Sequence, residues 1–207
     1  MSEALPAARE ARFWAAAEEA TRFFMGQADV QRALVRIAQT LDRLDIPYAV
    51  MGAMALNEWG YRRVTVDVDV LLTADGLARL KAAVLGRGYL EKFPGSRGLR
   101  DVASGVTIDV VLAGEYPGDG KPKPVAFPDP GRAAVRGERV ALLPLPTILE
   151  LKLASGISAP HRLKDLADVL EVIRALGLPR ELGQELDASV RDKYDELWQA
   201  AQVRDPE

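Results

Sequence analysis

Three aspartates on two stretches of alternating sequence carry the chemistry available to this chain. Asp67 and Asp69 lie in Arg63-Val64-Thr65-Val66-Asp67-Val68-Asp69-Val70, and Asp109 lies in Val106-Thr107-Ile108-Asp109-Val110-Val111. Strand side chains alternate between faces, so Thr65, Asp67 and Asp69 are expected to project one way and Val64, Val66, Val68 and Val70 the other. Carboxylates sharing a face repel one another and lose hydration, and strands are depleted in Asp. A cation between them is therefore expected. With the Asp109 strand alongside, the three would form an oxygen-rich site suited to one or two Mg²⁺ (or Mn²⁺) ions. The local pattern alone leaves a second reading open, in which these are solvent-facing residues on an exposed sheet face.

Composition narrows the rest. The chain has no cysteine, which removes disulfides, thiol catalysis and zinc–thiolate sites, and its single histidine, His161, rules out a multi-histidine metal site. Asp and Glu remain as the metal ligands. A formal net charge of −3 implies no bulk attraction to nucleic acid or anionic membrane, so any nucleic-acid contact would need a local basic patch. The start, Met1-Ser2-Glu3-Ala4-Leu5-Pro6, lacks the basic-then-apolar order of a signal peptide, and no apolar run is long enough to cross a membrane. A cytoplasmic protein without membrane contact is expected.

The elements that must position the aspartates follow from periodicity. An Ala- and Glu-rich helix is expected over 7–25, with Trp14, Phe23 and Phe24 docking it on the core or facing a partner. A second helix carries Val30, Leu34, Ile37, Leu41 and Leu44 at spacings of three and four. A short strand over 48–51 then feeds Gly52 and a helix over 53–59. Next come a strand over 63–72, a helix over 74–85, extended segments over 89–93 and 99–103, a strand over 106–112, a loop over 114–131 and a strand over 136–143. The remainder is helical: 147–154 ending at Gly156, 160–176 capped by Gly177, and 181–203. This order predicts an α+β fold, a mixed β-sheet flanked by helices with a helical C-terminal part. The expected divisions are an N-terminal helical extension over 1–27, a core over 28–143 and a helical region over 144–207.

The junction before the first carboxylates matters as much as the carboxylates. A helix N-terminus offers unpaired N–H groups and partial positive charge, and Gly52 would let a phosphate approach the backbone. Two carboxylates follow on the next strand, where a metal could bridge them to that phosphate. Arg62 and Arg63 could contact a leaving pyrophosphate or an acceptor, since the Arg fork matches phosphate oxygens.

Met51-Gly52-Ala53, then Asp67-Val68-Asp69, then Asp109 resembles the polymerase-beta-like nucleotidyltransferase superfamily. That superfamily has a Gly-Ser or Gly-Gly helix start, Asp-x-Asp or Asp-x-Glu, and a third acidic strand residue. The later Leu149-Glu150-Leu151-Lys152-Leu153-Ala154, with Arg162-Leu163-Lys164-Asp165-Leu166-Ala167-Asp168, is similar to the AbiEii/AbiGii toxin-type branch. The resemblance spans about 30–175 of the chain.

It implies a nucleotidyltransferase-like fold and transfer of an NMP group from an NTP to a hydroxyl acceptor. The acceptor would be tRNA or protein, with a toxin role and an antitoxin partner. Gly52 and Ala53 would receive the triphosphate, Asp67 and Asp69 would bind metal, Asp109 would act as base or further ligand, and Lys152 would neutralise phosphate charge. Ala53 departs from the pattern, because the serine usual there donates a hydroxyl to phosphate; Gly-Gly members also lack it. Two rivals stay open: an antibiotic-type small-molecule adenylyltransferase, and a catalytically quiet nucleotide-binding or interaction module.

Bland readings exist for the later residues too. Lys152, among Leu149, Leu151 and Leu153, could be a snorkelling helix residue. Helical spacing allows Arg162–Asp165 and Lys164–Asp168 ion pairs on a solvated face. The resemblance adds a second role for Lys164 and Asp165, as a buried link between the helical part and the site.

Overall fold

The computed structural model describes residues 28–203. The expected helix over 7–25 lies outside them. Helix α1 covers 28–43, and its apolar stripe of Val30, Leu34, Ile37 and Leu41 is buried. Then come β1 (Ala49–Met51), α2 (Gly52–Glu58), β2 (Asp67–Leu72), α3 (Ala74–Val84), β3 (Tyr89–Glu91), β4 (Leu99–Asp101) and β5 (Thr107–Leu112). A short α4 (Pro130–Ala133) and a narrow hairpin, β6 (Val135–Arg136) and β7 (Ala141–Leu142), precede α5 (Leu145–Ser158), α6 (Leu163–Leu176) and α7 (Ala188–Ala201).

The strands form one seven-stranded mixed sheet in the order β3-β4-β5-β2-β1-β7-β6. β2 and β5 run parallel, as do β1 and β7, while the other neighbours are antiparallel. Val68, Val70, Leu99, Ile108 and Val110 are buried on the back face. There Arg36 of α1 bonds Asp101 of β4, and Lys81 of α3 bonds Glu91 of β3 at 2.7 Å. The α+β expectation holds: a mixed sheet flanked by helices, followed by a helical C-terminal part.

Several boundaries differ from expectation, each for a tertiary reason. The strand expected over 63–72 begins only at Asp67, and Val64 and Val66 are exposed rather than turned to the core. Ahead of it, the Asn57 amide holds Arg63 at two points, donating to the Arg63 carbonyl at 2.8 Å and accepting from its N–H at 2.5 Å. That backbone is thus taken up by a side chain instead of a neighbouring strand. Gly156 lies inside α5 and does not end it. A β-carbon there would be 2.4 Å from Leu166 Cγ, so the glycine lets α6 pack directly on α5. The strand expected over 136–143 is the β6–β7 hairpin. The helix expected over 181–203 is a 3₁₀ turn, Arg180–Glu185, followed by α7, whose N-cap Asp187 accepts from the Ser189 N–H at 2.9 Å. Gly177 caps α6 in the left-handed conformation, with φ of 59°.

Candidate active site

The aspartates come together because β2 and β5 pair in parallel with Asp69 opposite Asp109 and Asp67 opposite Thr107. Opposed residues share a face, so the three carboxylates stand on the front of the sheet. Met51 pairs with Asp69 from the other side, which brings the start of α2 against the same carboxylate. Gly52 has φ of 64°, and a β-carbon on it would lie 2.0 Å from Asp69 Oδ2. The close approach of backbone to carboxylate therefore requires glycine.

Burial first, and then the Asp67 and Asp109 charges, push the Asp69 carboxyl up to about 6, against relief from Lys152 and Arg162. Asp67 accepts from the Thr65 hydroxyl at 2.5 Å, and Asp109 accepts from Lys92 Nζ at 3.1 Å. In these orientations no three His, Cys, Asp or Glu side chains among the described residues converge as metal ligands. The donor set nonetheless fits a hard divalent cation: oxygen ligands only, three on one face, with the central carboxyl held above its ordinary range by burial and then by its acidic neighbours. Asp67 and Asp109 would give up Thr65 and Lys92 to turn inward.

A second charged group faces the first across a cleft of about 490 Å³. Lys152 of α5 donates to Asp165 at 2.9 Å and Asp168 at 2.7 Å, both on α6. Asp168 also takes a bond from Arg63, and Asp165 takes one from Ser155 at 2.7 Å and lies 3.3 Å from Arg162 Nε. Burial works against the Asp165 carboxylate, but Lys152, Ser155 and Arg162 outweigh it and hold the carboxyl below the usual range. The cluster locks the loop before β2 to both helices.

The expected site residues do not all converge. Gly52, Ala53, Arg63, Asp67, Asp69, Lys152, Lys164 and Asp165 line the cleft, and Asp109 stands beside Asp69 on the adjoining strand. Arg62 is exposed and outside the cleft wall. The Arg162–Asp165 pair forms, but the Lys164–Asp168 pair does not, because Arg63 and Lys152 occupy Asp168. Asp168 is buried rather than solvated. Sequence reading missed Asn57, Ser155 and Lys92, whose partners lie 6, 10 and 17 residues away across loops. No local periodicity signals such contacts. Among the described residues, no helix is long and apolar enough to cross a membrane.

No family model matches the sequence, and no curated protein does. Among solved structures, the chain is similar to a provisionally assigned nucleotidyltransferase from H. pylori, at 15% identity over 85% of this chain and 93% of that one, with a TM-score of 0.49. It is similar to ANT(2")-Ia in complex with adenylyl-2"-tobramycin, at 14% identity over 85% and 99% of the two chains, with a TM-score of 0.49. An antigenic nucleotidyltransferase-like protein from Paracoccidioides brasiliensis shares 20% identity over 84% and 93%, with a TM-score of 0.47.

Proposed function

We propose that this protein moves a nucleoside monophosphate from an NTP to a hydroxyl acceptor. The observation that carries the reading is the in-register pair Asp69–Asp109, with Asp67 one pleat away and Gly52 packed on Asp69. The acceptor oxygen attacks the α-phosphorus, the bond to pyrophosphate breaks, and Asp109 takes the hydroxyl proton. Asp67, Asp69 and Asp109 would hold Mg²⁺ (or Mn²⁺). When bound, the metal polarises the phosphoryl oxygens and stabilises charge on the attacking and leaving oxygens. Gly52 and Ala53 border the triphosphate, while Arg63, Lys152 and Lys164 supply positive charge from the opposite wall.

The resemblance to the toxin-type branch supports tRNA or protein as acceptor, growth inhibition as consequence, and an antitoxin as partner. A second reading, the quiet nucleotide-binding module, is favoured by one observation: Lys152 and Arg63 already spend bonds on Asp165 and Asp168.

Incubation with each labelled NTP, Mg²⁺, and total RNA or the protein itself separates the two. Label transfer that disappears in Asp67→Ala/Asp69→Ala supports the enzyme. NTP binding without transfer to any acceptor leaves the quiet module. Growth arrest on induction, absent in the same variant, tests the toxin role.

A further inference from the structure

The front of the sheet is open beyond the carboxylates. Two cross-strand rows run from them to the β3 edge. In one, Asp67 pairs with Thr107, Thr107 with Arg100, and Arg100 with Leu90. In the other, Asp69 pairs with Asp109; Gly98, just ahead of β4, lies beside Asp109, and the Lys92 N–H donates to the Gly98 carbonyl at 3.0 Å. The same three strands are closed behind, where Tyr89, Leu99, Asp101 and Ile108 are buried. In front, Leu90 is 53% exposed, and Phe93, in the turn beyond β3, is exposed as well.

Gly98 shapes this surface. A β-carbon there would sit 3.1 Å from Asp109 Oδ1 and 3.6 Å from Lys92 Cδ, so the missing side chain leaves the gap across which Lys92 reaches Asp109. Arg100 spends one N–H on the Gly105 carbonyl at 3.3 Å and pairs with no carboxylate among the described residues. The acids nearby are engaged elsewhere: Glu91 with Lys81 and Glu115 with Arg97. A chain with a formal net charge of −3 thus presents cations beside its third carboxylate.

We infer that the open β5-β4-β3 face is the acceptor platform, and that Lys92 and Arg100 select an acceptor whose hydroxyl is carried on a phosphodiester strand. This rests on the transferase reading and deepens it. The cations meet phosphate oxygens, Leu90 offers apolar area to a base, and the strand end reaches Asp109. A polycationic acceptor would meet like charge at Lys92 and Arg100.

The test is binding of a short fluorescein-labelled single-stranded RNA by the full chain, read by anisotropy across a salt series without NTP or metal. The wild type should bind, and Lys92→Ala/Arg100→Ala should bind about tenfold more weakly, its salt slope falling by about 0.7 for each lost contact. Melting should be unchanged, since both side chains are exposed, and Lys193→Ala on α7 should bind as the wild type. Absence of RNA binding, or equal binding by the double variant, overturns the platform. So does transfer to a polycationic acceptor in preference to RNA. Label transfer to any acceptor that Asp67→Ala abolishes keeps the transferase reading even then. Salt-dependent RNA binding through Lys92 and Arg100, with no transfer under any condition, sinks the transferase and leaves an RNA-binding face.

Discussion

The carboxylate of Asp69 occupies the space a side chain on Gly52 would need: a β-carbon at 52 would lie 2.0 Å from Asp69 Oδ2 and 2.9 Å from its carboxyl carbon. The β1–α2 turn and the central acid of the site are thus one packing unit. Any change at either position is felt at the other.

Gly52→Ala should therefore cost about 2–4 kcal/mol in urea unfolding, combining left-handed strain with displacement of Asp69. The double variant Gly52→Ala/Asp69→Ala should regain part of that stability and none of the transfer activity. Additive costs in this cycle would contradict the packing relationship.

Metal-free stability should depend on pH through Asp69. Its carboxyl ionises at about 6 in the folded protein against an ordinary 3.8. Between those values the folded state keeps a proton that the unfolded chain has released. This contribution is full below the unfolded value and is lost as pH rises through the folded one, by up to about 3 kcal/mol. Asp165 and Asp101, both held below the usual range, act oppositely and lose their contribution at lower pH still. Denaturant melts in chelator should show the Asp69 slope, and Asp69→Asn or saturating Mn²⁺ should flatten it.

Lys152→Met leaves Asp165 and Asp168 in a largely buried setting without their shared cation. A loss of about 3 kcal/mol is expected by thermal or chemical melting, as for other broken buried pairs. Adding Asp165→Asn should restore part of the stability. Nucleotidyl transfer should stay low in both, because the cleft's positive wall has lost Lys152.

Asp109→Asn should lower kcat for transfer by about 10²–10⁴-fold, the range for loss of a general base. NTP binding measured by calorimetry should be little affected if Asp67 and Asp69 carry the nucleotide-side metal. An equal loss in binding would assign Asp109 to that metal instead.

Gly156→Ala places a methyl 2.4 Å from Leu166 Cγ and should force α6 away from α5, at about 1–3 kcal/mol. Lys152 sits on one of these helices and its two carboxylate partners on the other, so KM for NTP should rise as well. Combining it with Leu166→Ala should recover stability beyond either single variant.

Much of this was legible locally. The Val68–Val70 alternation gave β2 its faces, and the spacing of Val30, Leu34, Ile37 and Leu41 gave α1 its buried stripe. The same alternation misled at Val64 and Val66, because a single amide on α2 holds the Arg63 backbone away from the sheet. Asp165 and Asp168 read as a solvated face, since nothing on α6 itself reveals that α5 comes close enough to bond them.

The sequence by itself determined which way Asp67 and Asp69 point relative to each other, and that carboxylates alone are available to a metal, because side-chain direction along a strand and residue inventory are local properties. Only the tertiary structure decided that Asp109 stands opposite Asp69, that Gly52 makes room for a carboxylate, and that Lys152 and Arg63 meet at Asp168. Those contacts join residues up to 105 positions apart. They depend on strand register and helix approach, which burial of the whole core sets and no short stretch of chain encodes.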